Sequence, residues 1–99
     1  MLKENLSKKS DQELVILSLE NKDYFVYLIE KYEAKLFKYI LRISNFSANQ
    51  AEDILQEVFL KVYENLNDYD LNLKFSSWIY RITHNQVISA FRKIKARPQ

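Results

Sequence analysis

The sequence predicts an all-α domain, a compact bundle of about four helices, on three observations. There is no Gly among 99 residues and the one Pro is Pro98, so only clusters of Asn, Asp and Ser interrupt a helical reading from Ser10 to Ala96. Apolar residues recur at spacings of three, four and seven over long stretches, the stripe of an amphipathic helix. With 47% hydrophobic and 28% charged residues, the chain buries enough apolar surface to fold, at a length that supports one core and not two.

The first helix starts at Ser10, whose hydroxyl can cap while Glu13 reaches back in an S-x-x-E capping box, and its apolar residues Leu14, Leu17 and Leu19 run to Asn21. A second helix begins near Asp23 and carries Phe25, Leu28, Ile29, Tyr32, Leu36, Ile40 and Ile43 on one stripe. Asn45 is the expected stop, because Asn is the next choice after Gly for a left-handed C-terminal residue. Ser47 and Gln50 offer a second capping box, with Asn49 a rival cap. The third helix then puts Ile54, Leu55, Val58, Phe59, Val62 and Leu66 on one side and Asp53, Glu57 and Glu64 on the other. Residues 67–74 have no sustained period and read as a loop. The fourth helix, from about Phe75 to Ala96, turns Phe75, Trp78, Ile79 and Ile82 inward before becoming polar and basic.

Composition excludes several function classes. Without Gly there is no P-loop, no GxGxxG turn and no GxSxG elbow, all of which need glycine backbone geometry. Without Cys there are no disulfides, thiolate chemistry or Cys-based zinc sites, and a cytoplasmic, reducing setting fits. The apolar runs Leu14–Leu17 and Phe25–Ile29 are far too short to cross a bilayer, so no membrane insertion is expected, and residues 1 to 10 hold no secretory h-region. His84, the single imidazole, has no sequence neighbour suited to a triad and reads as a polar surface residue. The acid pairs Glu52–Asp53 and Asp68/Asp70 are explained by helix-start charge and loop solubility. No enzyme, cofactor or metal site is expected.

The net charge of +2 hides an asymmetry. Residues 1 to 70 carry nine basic and all thirteen acidic side chains, whereas Lys74, Arg81, Arg92, Lys93, Lys95 and Arg97 stand in the remainder without an acid. Such segregation points to a polyanion. In the same region Tyr69, Phe75, Trp78 and Tyr80 interleave with Lys74, Arg81, Asn85, Gln86, Arg92 and Lys93. Aromatic rings stack on unpaired bases, amides match base edges, and Lys and Arg hold phosphates. The plainer account is that Phe75 and Trp78 are core, and that the basic run is a solvated helix end favoured by its own dipole.

Two blocks carry a family resemblance: Ala51-Glu-Asp-Ile-Leu-Gln-Glu-Val-Phe59, and Phe75-Ser-Ser-Trp-Ile-Tyr-Arg-Ile-Thr-His-Asn85 followed by Arg92-Lys93. In this order and separation they resemble region 2 of the bacterial sigma factors, specifically the extracytoplasmic-function group. The resemblance implies that the third helix docks on the clamp helices of the RNA polymerase largest subunit, through Asp53, Gln56 and Glu57. It implies that the loop before the fourth helix holds a base flipped out of the non-template strand of the minus-ten promoter element. Tyr69, Asn72 and Lys74 are the candidates for that pocket, Asn85 matches the family's base-contacting Asn, and Arg81, Gln86, Ser89, Arg92 and Lys93 complete the DNA-facing set. An anti-sigma factor is a further partner the resemblance admits. The alternative is a helical protein-interaction domain, such as an anti-sigma target, without direct base reading.

Two positions depart from the family pattern. Ser89 stands where Asp is common, and Ile79 stands where housekeeping members carry a second Trp used in strand opening. The expected organisation is a flexible N-terminus over 1–9, the helical domain over 10–96, and 97–99 as the start of a linker. Relatives continue beyond that linker into a second helical domain that reads the minus-thirty-five element. At 99 residues the chain reads as a piece of a longer protein.

Overall fold

The computed structural model describes residues 8–96. Residues 1–7 of the flexible N-terminus expected over 1–9, and the linker expected at 97–99, lie outside the described residues. Among the described residues four helices follow in order: α1 (Asp11–Glu20), α2 (Phe25–Ile43), α3 (Ala48–Glu64) and α4 (Phe75–Ala96). Short 3₁₀ turns at Lys22–Tyr24 and Leu66–Asp68 lead out of α1 and α3.

Local chemistry sets the starts. Ser10 Oγ accepts the Glu13 backbone N–H at 3.2 Å, and Glu13 Oε1 accepts that of Ser10 at 3.0 Å. The Ser10 backbone N–H, followed by the Ser10 side chain, holds the Glu13 carboxyl below its ordinary pKa. The same reciprocal box joins Ser47 and Gln50, at 3.2 and 2.9 Å, so Ser47 and not Asn49 caps α3.

The end of α2 differs from expectation. Asn45 adopts no left-handed conformation, and no described residue has a positive φ. Ser44 ends the helix in extended backbone instead. Its hydroxyl donates to the Ile40 carbonyl at 2.6 Å and accepts the Phe46 N–H at 3.3 Å. One hydroxyl thus satisfies groups that a left-handed residue would otherwise have satisfied.

The core is the common ground of α2, α3 and α4. Phe25, Leu28, Tyr32, Leu36 and Ile40 of α2 meet Ile54, Leu55, Val58 and Val62 of α3 and Phe75, Ile79 and Val87 of α4. Truncating a fully buried member such as Leu36 to Ala costs about 2–5 kcal/mol. α1 buries Leu14, Val15 and Ser18, whereas Leu19 is exposed, so its inward face lies off the expected line of leucines. Ser18 is tolerated inside because its hydroxyl donates to the Leu14 carbonyl at 2.7 Å.

One charged group helps fasten α1 to the bundle. Asp11 Oδ1 pairs with Lys31 Nζ at 2.7 Å, and its Oδ2 accepts the Tyr32 hydroxyl at 2.6 Å. Lys31 also donates to the Lys9 carbonyl at 3.2 Å. Burial, followed by the Asp11 hydrogen bond, pushes the Tyr32 phenol well above its ordinary range.

Candidate nucleic-acid interface

The segment between α3 and α4 is short of apolar periodicity, yet it is well anchored. Tyr69 is 6% exposed and turns its ring inward, 5.2 Å from Phe75 and 5.1 Å from Trp78. Its hydroxyl donates to the Leu73 carbonyl four residues on and receives the Gln12 side-chain amide of α1 at 3.4 Å. Asp70 then closes the turn, its carboxylate accepting the Asn72 N–H and its carbonyl the Leu73 N–H, each at 2.9 Å. Asp70, Leu71, Asn72, Leu73 and Lys74 all stand exposed on this frame.

Tyr69 therefore differs from the sequence expectation. Its ring supports the loop from beneath and offers no free face to a base. The aromatic loop residue looked like a stacking surface because sequence cannot say which way a side chain turns.

α4 sorts the other candidates into two groups. Phe75, Ile79, Thr83 and Val87 recur every fourth residue on the buried side. Arg81, Asn85 and Arg92, at spacings of four and seven, share an exposed face. Gln86, Ser89 and Lys93 instead look toward α3. With Asp53, Ile54, Glu57 and Ala90 they line a shallow groove of about 150 Å³. Three of the expected DNA-binding residues thus meet Asp53 and Glu57 of the expected polymerase-binding set along one seam. Gln56 is exposed on the outer side of α3, near Leu60, an exposed leucine (51%) that the acidic pattern had obscured. Glu57 and Lys61, spaced to pair, form no ion pair with each other.

Beyond Val87, α4 leaves the core. Its last ring contact is Phe91, stacked on Phe46 of the α2–α3 connection at 4.8 Å and 30°. Residues 92–96 are exposed, so Arg92, Lys93 and Lys95 form a projecting basic end.

Sequence reasoning missed the neighbours that α2 supplies to this face. Tyr39 meets Tyr80 edge-on at 5.0 Å, its hydroxyl lies 3.4 Å from His84 Nδ1, and Arg42 covers its ring at 5.6 Å. The two contacts to α4 span about forty residues of sequence, and no spacing rule reports them. No group of three or more His, Cys, Asp or Glu among the described residues could hold a metal ion. No helix among them is long and apolar enough to cross a membrane.

The family description "Sigma-70 region 2" matches residues 28–97. The extracytoplasmic-function (ECF) RNA polymerase sigma factor SigW of Bacillus subtilis is 37% identical over 75 residues, covering 76% of this chain and 40% of that protein. RNA polymerase sigma-H factor of Pseudomonas aeruginosa is 35% identical over 81 residues, covering 81% of this chain and 42% of that one. An engineered region 2 of sigmaE, solved by NMR in complex with GTAAAA, superposes with a TM-score of 0.78 at 29% identity, covering 94% of this chain and 93% of that one. The chain belongs to the sigma-70 region 2 family, in its extracytoplasmic-function group. It spans about two fifths of the length of the two curated relatives named.

Proposed function

We propose that this domain is the promoter-reading module of a transcription initiation factor. It docks on core RNA polymerase and captures a flipped non-template base of the minus-ten element, without catalysis of its own. The observation that carries the reading is the exposed line Arg81–Asn85–Arg92 beside an anchored loop that lifts Asn72 and Lys74 into solvent. The complex of the sigmaE neighbour with GTAAAA supports the same assignment.

The division of labour follows from chemistry. Asn85 offers an amide donor and acceptor to a base edge, whereas Arg81 and Arg92 neutralise phosphates whatever the sequence. Flipping a base costs a few kcal/mol of stacking, which loop and phosphate contacts together must return. Asp53, Gln56 and Glu57 form the polymerase-facing surface on α3. Gln86, Ser89 and Lys93 line the seam between that surface and the DNA face, where they sense both partners. The setting is the cytoplasm, and an anti-sigma factor competes for the same surfaces.

The test is fluorescence anisotropy with labelled single strands carrying randomised minus-ten-like cores at two salt concentrations. One short core should be preferred. Asn85→Ala should cost about 1–3 kcal/mol and relax that preference, while Arg92→Ala weakens all sequences alike. Equal loss on every sequence in Asn85→Ala would remove base reading from the proposal.

A further inference from the structure

Residues 1 to 70 are acidic overall, and that average conceals an ordered row of cations. Lys31, Lys35, Lys38 and Arg42 follow one another at spacings of four, three and four, which places all four on one stripe of α2. Lys31 is committed to Asp11 at 2.7 Å. The other three are exposed and form no ion pair with a described residue. Lys35 lies over the Tyr32 ring at 5.7 Å and Arg42 over the Tyr39 ring at 5.6 Å, so both rest on the side of α2 that meets α4.

The two helices run in the same sense there. Tyr32 packs against Phe75 at 5.6 Å, and seven residues later Tyr39 packs against Tyr80 at 5.0 Å and reaches His84. The α2 row therefore lies alongside the exposed face of α4 that carries Arg81. Between the two runs a seam of Tyr39 and Tyr80, both partly exposed, with His84 at its edge.

We infer that this seam is a second nucleic-acid contact, a track for single-stranded DNA continuous with the base-reading face of α4. Cations flanking partly exposed rings are the arrangement that holds unpaired strands, the rings stacking on bases and the cations following the phosphates. From Lys35 to Arg42 the stripe covers about 10 Å at 1.5 Å per residue, room for about three nucleotides at the duplex rise of 3.4 Å per strand. The inference rests on the proposed function and extends it. A strand captured by the loop and Asn85 continues over α2 and does not leave the protein at α4.

The experiment compares the chain with Lys35→Ala/Lys38→Ala, both on the exposed surface. The probes are labelled oligonucleotides with the preferred core alone, with a six-nucleotide oligothymidine extension on either end, or with a duplex extension. In the parent chain one of the two single-stranded extensions should tighten binding. In the double variant that gain should disappear, and the salt slope on the extended strand should flatten by about 1.4, about 0.7 for each phosphate that the missing ammonium groups no longer neutralise. Discrimination between cores should stay unchanged, and Lys35→Arg/Lys38→Arg should restore both slope and gain. Tyr39→Ala should lose the gain while Tyr39→Phe retains most of it.

An unchanged slope and gain in the alanine double variant would overturn the inference, and so would an effect confined to the duplex extension. Loss of the base-reading proposal gives a different pattern: no core preferred by the parent chain and no selective effect of Asn85→Ala.

Discussion

The loop over residues 69–74 and the basic end of α4 face the same solvent but are held by opposite means. The loop has no regular backbone ladder, and yet its shape is fixed from a distance. Gln12 of α1 reaches the Tyr69 hydroxyl, which binds the Leu73 carbonyl, while the ring is clasped by Phe75 and Trp78. The helix end has a full ladder of its own, and the one ring stack that holds it is Phe46–Phe91. A base is read by directional hydrogen bonds, which need a frame fixed to fractions of an ångström, whereas phosphates attract cations over a Debye length of about 8–10 Å. The difference in anchoring therefore matches the tasks proposed for each region.

Tyr69→Ala empties the hub beneath the loop and should cost about 3–5 kcal/mol of folding stability, the range for loss of a buried aromatic side chain, measured by denaturant unfolding. A cost below about 1 kcal/mol would show that the loop carries its own structure. Phe46→Ala should remove about 1–2 kcal/mol, since the ring is only half buried, and leave the loop intact. Its signature is weaker binding to every oligonucleotide at unchanged core preference.

Tyr69→Phe sharpens the contrast. It keeps the ring contacts and deletes the hydroxyl that joins Gln12 to Leu73, so stability should fall by about 0.5–1.5 kcal/mol. Core preference should relax, while the salt slope, set by phosphate contacts, stays the same. A change in slope with preference intact would reverse the roles assigned to loop and helix end.

The smallest effect is the one with pH. Burial is the first cause raising the pKa of both Tyr32 and Tyr69 in the folded chain. An unfolded tyrosine loses its proton near about pH 10. The stabilisation is therefore complete below that value and declines as pH rises through it toward the raised folded values. Alkaline titration followed by tyrosinate absorbance should show a late-ionising component from Tyr32 and Tyr69, together with loss of helix. Uniform ionisation near about pH 10 with the helices intact would mean that neither hydroxyl is shielded.

How much of this was legible in the sequence depends on the range of the interaction concerned. The four helices and the two serine caps were readable because they depend on periodicity and on residues three apart, and Ser10 and Ser47 behave as their capping boxes require. The blocks around Asp53–Glu57 and Phe75–Asn85 were readable as a family resemblance, and the match over residues 28–97 confirms that family. The stop at Asn45 was misread because a serine one residue earlier had already satisfied the backbone.

Charge counted along the chain revealed the basic end of α4 but averaged away the cation stripe of α2, which shows only when counted by helix turn. The helical class, the caps and the family follow from residue order alone. Packing of distant segments sets the rest: Tyr69 faces inward, Gln86, Ser89 and Lys93 turn toward Asp53 and Glu57, and Tyr39 joins α2 to α4. The reason is physical: caps and amphipathic stripes are set by neighbours within a turn. The direction of a loop aromatic, or the pairing of two helix faces, is set by which buried surface is available once distant segments have packed.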